Sequence, residues 1–133
     1  MNPHALTEAL RLYLTEELPE ATIHTPVNCG ELAVPYVLVS SSGASELIAG
    51  NHAWELTIAV ELRTSAYDTP EEGSRDLFSK ACSVLTVPTA HRRIEECGHG
   101  FYLYALRLQT LEEPVVDGND FTQQASFRAV VQY

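Results

Sequence analysis

Hydrophobic and polar residues alternate without a break between Ala53 and Arg63. The large apolar side chains all fall at every second position, and they are Trp54, Leu56, Ile58, Val60 and Leu62. Successive side chains of a strand point to opposite faces of its sheet, so a period of two is typical of a strand with one buried face. The segment therefore predicts a long strand with one buried and one wetter face.

The end of the chain repeats this alternation from Phe121 or Thr122 to Tyr133. At about 3.3 Å per residue, each of the two segments could span roughly 35 Å, which is long for a strand in a small domain. Either long strand could form an edge of the sheet, and a free edge pairs with other chains unless it is blocked.

Two amphipathic helices are predicted. The first begins after a possible Asn2 cap, with Pro3 in its first turn and apolar residues at helical spacing as far as Leu18. The second begins at Thr69-Pro70-Glu71-Glu72, in which the threonine can cap the helix and Glu72 can complete a capping box. It ends before Pro88.

The remaining strands are shorter. Pro35–Ser40 predicts a buried strand, Phe101–Gln109 another, and residues 21–25 a possible third. Ser41 to Asn51 is predicted as a loop of small residues, and Glu112–Asp120 as an acidic loop with a turn at Asp117-Gly118.

The element order is therefore α-β-β-β-α-β-β within a single domain, residues 1–133. Loops rather than helices join neighbouring strands, so the sheet should be mainly antiparallel. We expect an α+β fold in which a sheet of about four to five strands packs against two helices.

Charge and composition argue against several classes of function. The 18 acidic and 8 basic residues give a net charge of −10, which argues against tight nucleic-acid binding. No apolar run is long enough to span a bilayer, and the N-terminus lacks the features of a signal peptide, so we expect an internal compartment and no membrane. Three cysteines suit reduced thiols better than a disulfide framework.

Candidate catalytic and metal-binding groups are few. His91, Cys97 and His99 could contribute to a zinc site, but no fourth ligand stands at a suitable spacing, and a turn between helix and strand is the favoured interpretation. A nucleophilic Cys–His pair could be formed by Cys97 with His99, or by Cys29 with His24, although nothing in the sequence shows an activated thiol. We expect no enzyme activity and no cofactor.

The order and length of the elements, over nearly the whole chain, resemble those of the tail terminator (tail completion, head-tail joining) proteins of bacteriophages and prophages. The matching features are the helix to Leu18, the Pro35-Tyr36-Val37-Leu38-Val39 strand, the loop to Gly50, the strand Trp54–Arg63, the helix start at Thr69-Pro70-Glu71-Glu72, the strand Phe101–Leu108, the Asp117-Gly118 turn and the strand Phe127–Tyr133.

This resemblance implies a non-enzymatic structural protein of the virion tail, present in the host cytoplasm during assembly. Such proteins form a ring, commonly of six subunits, that caps the tail tube and joins it to the head. The implied partners are further copies of the chain, a tail-tube protein and a head-completion or connector protein. Segments 41–52 and 112–120 are then expected to make ring, tube or lumen contacts, with the candidate residues Glu46, Asn51, Glu112, Glu113, Asp117 and Asp120.

Two other classes stay open. A small cytosolic ligand-binding dimer would use the same sheet, with Trp54, Tyr102 and Tyr104 lining a pocket. A metal- or cysteine-dependent enzyme is the less favoured alternative.

Overall fold

A computed structural model describes residues 3–27, 32–48, 50 and 52–133. Within those residues the chain forms three helices and six strands. In chain order they are α1 (Pro3–Glu17), β1 (Thr22–His24), β2 (Tyr36–Ile48), β3 (Ala53–Ser65), α2 (Glu71–Thr86), α3 (Ala90–Cys97), β4 (Tyr102–Leu111), β5 (Val115–Asp117) and β6 (Asp120–Gln132). The predicted α+β class and element order are confirmed, with α3 and β5 as additions.

The strands form one sheet in the order β1-β2-β3-β6-β4, and the short β5 also pairs with β6. All pairs are antiparallel except β1 with β2. The long strands β3 and β6 pair with each other along their whole length, from Ala53 opposite Gln132 to Ser65 opposite Asp120. Both are therefore interior strands, and the expectation that either could form a sheet edge is wrong.

One face of the sheet is covered by the helices and forms the core. The alternating apolar residues predicted for β3 and β6 point to this face, and Leu56, Ile58 and Phe127 are at most 1% exposed. The leucines of α1 pack against them, and the Tyr13 hydroxyl of α1 donates a hydrogen bond to the Val84 carbonyl of α2 at 2.5 Å. None of the described helices is long and apolar enough to cross a membrane.

Helix α3 replaces the turn expected between residues 91 and 99. Its Ile94 is fully buried, and its Arg93 lies over the Tyr13 ring and pairs with Glu16 and Glu17 of α1. A Cβ atom on Gly98 would lie 2.7 Å from Ala9, so α1 and the end of α3 pack closely only because this residue is glycine.

Strand β2 does not end near Ser40 as predicted but continues to Ile48. Its serines pair with β3, and the register shifts at Gly43, where φ is +78°, and again between Glu46 and Ile48. Small polar residues have little strand preference of their own, and the neighbouring strand supplies the hydrogen-bonding partners that extend β2.

Helix α2 starts at Glu71 after Pro70, without the side-chain cap predicted for Thr69. The predicted cap of α1, Asn2, lies outside the described residues.

Candidate assembly surfaces

The two segments predicted to contact partners lie at opposite ends of the long strands. The 112–120 segment leads into the end where Ser65 opposes Asp120, whereas Glu46 lies opposite Trp54 at the other end. Twelve residue steps of β3 separate these ends by roughly 40 Å. The structure thus does not bring the predicted residues into one site, and Asn51 lies outside the described residues.

The acidic segment is more ordered than the predicted loop, because it contains β5 and a tight hairpin to β6. The predicted turn at Asp117-Gly118 is present, with Gly118 at φ +63°. Asn119 anchors the turn: its carbonyl accepts a hydrogen bond from the Ala66 amide at 2.7 Å, and its side-chain amide donates to the Tyr67 hydroxyl at 3.0 Å. The turn therefore holds Asp117 and Asp120 on a hydrogen-bonded backbone at this end of the molecule.

The four carboxylates of this segment differ in their surroundings. Asp120 accepts a hydrogen bond from Arg63 at 3.2 Å and is partly neutralised. Among the described residues, Glu112, Glu113 and Asp117 have no ion-pair partner, and all three are exposed. Asp117 also stands directly opposite Asp120. The negative charge available to a partner therefore resides in these three residues.

At the other end, Glu46 has a local structural role. Its carboxylate accepts a hydrogen bond from the Gly50 amide at 2.6 Å, across the connection between β2 and β3. Gly50 has φ +78°, which an L residue rarely adopts. Glu46 remains exposed and can still meet a partner.

A third surface, formed by β4 and β5, was missed by the sequence interpretation. Six large apolar side chains along residues 102–117 are between 42% and 65% exposed. They are Tyr102, Tyr104, Leu108, Leu111, Val115 and Val116. The sequence indicates this surface, because β4 has apolar residues at both odd and even positions. Side chains on both faces of the sheet are therefore apolar, and a single helix layer can cover only one face. We call residues 102–117 the β4–β5 edge.

Arg107 stands out on this edge because it has no ion-pair partner among the described residues. Of the eight lysine and arginine residues, all of which lie in the described part of the chain, seven form ion pairs with carboxylates and Arg107 does not. It stands opposite Arg128, which pairs with Glu55 at 2.6 Å. The two arginines, with Ala105 and Val130, line a shallow cleft of about 240 Å³. Like charges at directly opposed positions destabilise a sheet, so this cleft favours an additional carboxylate.

The aromatic residues of the ligand-binding alternative do not line one pocket. Trp54 lies on the helix-covered face, opposite Val131 of β6. The Tyr104 hydroxyl donates a hydrogen bond to the Gln132 side chain at 2.6 Å, on the other face. A larger cleft, of about 330 Å³, lies elsewhere between α2 and Pro35.

The described cysteines lack the properties of nucleophiles. Burial raises the pKa of the Cys82 thiol from 9.0 to about 11. Burial also raises the pKa of Cys97, an effect that Glu16 adds to and Arg93 opposes. A reactive thiol requires the opposite shift. Within residues 3–27, 32–48, 50 and 52–133 no three His, Cys, Asp or Glu side chains come together in a metal-binding group, and Cys29 lies outside these residues.

We expect Cys82 to react slowly with a thiol-specific reagent at pH 7.5 and progressively faster up to about pH 11. The folded thiol stays protonated to higher pH than the unfolded thiol, so its contribution to stability is present below pH 9.0 and is lost as the pH rises toward about 11. Mass spectrometry after timed labelling measures the rate at each cysteine, with denatured protein as the control. Labelling of Cys82 at pH 7.5 as fast as in the denatured chain would contradict this.

Comparison with known proteins gives a structural match but no match by sequence. No protein-family profile matches the chain, and neither does any curated protein. Among solved structures, a chain of a structure described as the virion of a native gene transfer agent (GTA) particle superposes with a TM-score of 0.62 at 15% identity. The match covers 98% of this chain and 93% of that chain. At this identity the likeness establishes a shared fold, and it does so over nearly the full length of both chains.

Proposed function

We propose that this protein is a structural component of a phage-like virion, and specifically a tail terminator whose ring caps the tail tube and joins it to the head. The observation that carries the proposal is the full-length fold match to a chain of a virion particle. The order of elements in the sequence supports the same class independently.

The two-ended arrangement of the molecule supports a joining role. A protein between tube and head has to contact a different partner on each side. The β5–β6 hairpin, which lies beside Ser65, and the connection near Glu46 provide two such surfaces, held roughly 40 Å apart by β3 and β6.

Electrostatics are consistent with a channel that DNA crosses. A net charge of −10 disfavours binding of phosphates. Glu112, Glu113 and Asp117, which have no ion-pair partner among the described residues, are the proposed lumen or interface carboxylates.

Deletion of the gene from the phage or prophage genome that carries it tests the proposed function. Deletion should leave heads and tails unjoined in negative-stain micrographs, and a plasmid copy should restore complete particles. Purified protein should also give a closed ring of about six subunits by light scattering and microscopy, in line with the symmetric assembly of identical chains. Normal virions after deletion would refute the proposal, and a concentration-independent dimer would favour the ligand-binding alternative.

Charge reversal tests the acidic segment. We expect the Glu112→Lys/Glu113→Lys variant to fail to restore particles, because four units of charge change at the proposed contact surface. The matched control is Glu72→Lys/Asp76→Lys, which changes the same charge at exposed positions of α2 and should restore particles. If both variants restored complete particles equally well, Glu112 and Glu113 would not be contact residues.

A further inference from the structure

We propose that, in the assembled ring, the free edge of β4 pairs antiparallel with the free edge of β2 from the next copy. This inference rests on the proposed function, because it names the contact between identical subunits that would close the ring.

Within the described residues, β4 and most of β2 have a strand neighbour on one side only. Strand β4 has a neighbour, β6, on one side only, and on its other side Glu95 accepts a hydrogen bond from the Leu103 amide at 3.2 Å. Among the described strands, β1 pairs with β2 only along Tyr36–Leu38, so the following ten residues of β2 have no described strand on that side. Two free edges of similar length therefore lie at opposite sides of each molecule, and exposed edges of this kind recruit further strands.

Strand direction makes the two edges compatible. Directions alternate through β2, β3, β6 and β4, so β4 runs antiparallel to β2 within one molecule. A second copy placed beside β4 in the same orientation presents its β2 in the direction opposite to β4. The contact is then head-to-tail, with different surfaces on the two sides, and repetition of a head-to-tail contact closes into a ring when the rotation permits.

Side chains favour this pairing over a contact between identical edges. Strand β4 contains one charged residue, Arg107, and β2 contains one, Glu46. Arg107 lies near the middle of β4, so antiparallel pairing of two β4 edges would bring two arginines together where Arg107 already faces Arg128. Like-charge contacts of this kind exclude the wrong partner. Pairing with β2 adds no positive charge, and it covers exposed apolar residues such as Tyr104 and Leu108.

Two variants, each blocked at one edge, test the proposal. Lysine on an edge strand prevents further pairing, so Leu108→Lys/Leu111→Lys blocks β4 and Ser42→Lys/Ser45→Lys blocks β2. We expect each variant alone to have the mass of one subunit by light scattering. An equimolar mixture should give a 1:1 dimer, in which the intact β4 of one variant pairs with the intact β2 of the other. The dimer should not grow, because its two remaining edges are both blocked. Ser79→Lys, at an exposed position of α2 outside both edges, is the control and should form the wild-type ring.

The other outcomes are equally informative. A β4-blocked variant that dimerises alone would show a β2–β2 contact, and a β2-blocked variant that dimerises alone would show a β4–β4 contact; either overturns the proposal. Wild-type rings from both blocked variants would overturn it while leaving the proposed function intact. A wild type that stays monomeric at every concentration, together with normal virions after gene deletion, would instead refute the proposed function. Thr110→Lys, at an exposed position of β4, must reproduce the β4 result, and circular dichroism confirms that each variant is folded.

Discussion

Phe127→Ala should lower the free energy of unfolding by about 3–5 kcal/mol. Phe127 is fully buried at the centre of β6, between Ile58 of β3 and Leu108 of β4. The substitution removes apolar contacts with both neighbouring strands and with the helix layer, and a packed core closes such a cavity only in part. Urea denaturation followed by circular dichroism measures the change.

The control lies one residue away in the same strand. Ser126 points to the opposite, partly exposed face, so Ser126→Ala should change stability by about 0.5 kcal/mol or less. A loss below about 1 kcal/mol for Phe127→Ala would mean that this side chain is not part of a close-packed core.

Ser74→Ala should cost about 1–3 kcal/mol, more than Thr64→Val. The two hydroxyls lie 2.6 Å apart, and both residues are fully buried. The Ser74 hydroxyl also donates to the Pro70 carbonyl at 3.2 Å, so its single proton is used there and Thr64 must be the donor between the two. Removal of Ser74 therefore leaves a buried donor without an acceptor, whereas removal of Thr64 leaves the bond from Ser74 to Pro70 in place.

The double variant separates this mechanism from simple packing loss. Thr64→Val/Ser74→Ala removes both hydroxyls, so it should cost less than the sum of the single changes, by about 1 kcal/mol. Strictly additive costs, or a larger cost for Thr64→Val than for Ser74→Ala, would show that Thr64 is not the donor of the hydrogen bond to Ser74.

The fold was predictable from sequence wherever one periodicity dominated. The alternation in β3 and β6 and the leucine spacing in α1 each indicate a buried face, and the structure buries those residues. The extension of β2 through Ser41–Glu46 could not be predicted, since its partner strand determines it rather than the preference of its serines. Helix α3 was missed because eight residues with two buried side chains give too short a pattern.

The candidate surfaces were predictable in part. The acidic character of 112–120 follows directly from the sequence, but the Arg63 partner of Asp120 comes from 57 residues away. That Arg107 lacks an ion pair among the described residues could not be predicted, because it becomes visible only when the partners of the other seven basic residues are known.

The uninterrupted pairing of β3 with β6 has a consequence for how this molecule can change in length. Insertion of one residue in β3 ahead of Glu61, without a bulge, would turn every later side chain of the strand to the other face, placing Glu61 in the core and Leu62 in solvent. Unless a bulge absorbs the extra residue, the strand can therefore lengthen only by two residues at a time, with a matching change in its partner. As long as the pairing stays regular, the distance between the two ends of the molecule can therefore change only in steps of roughly 7 Å.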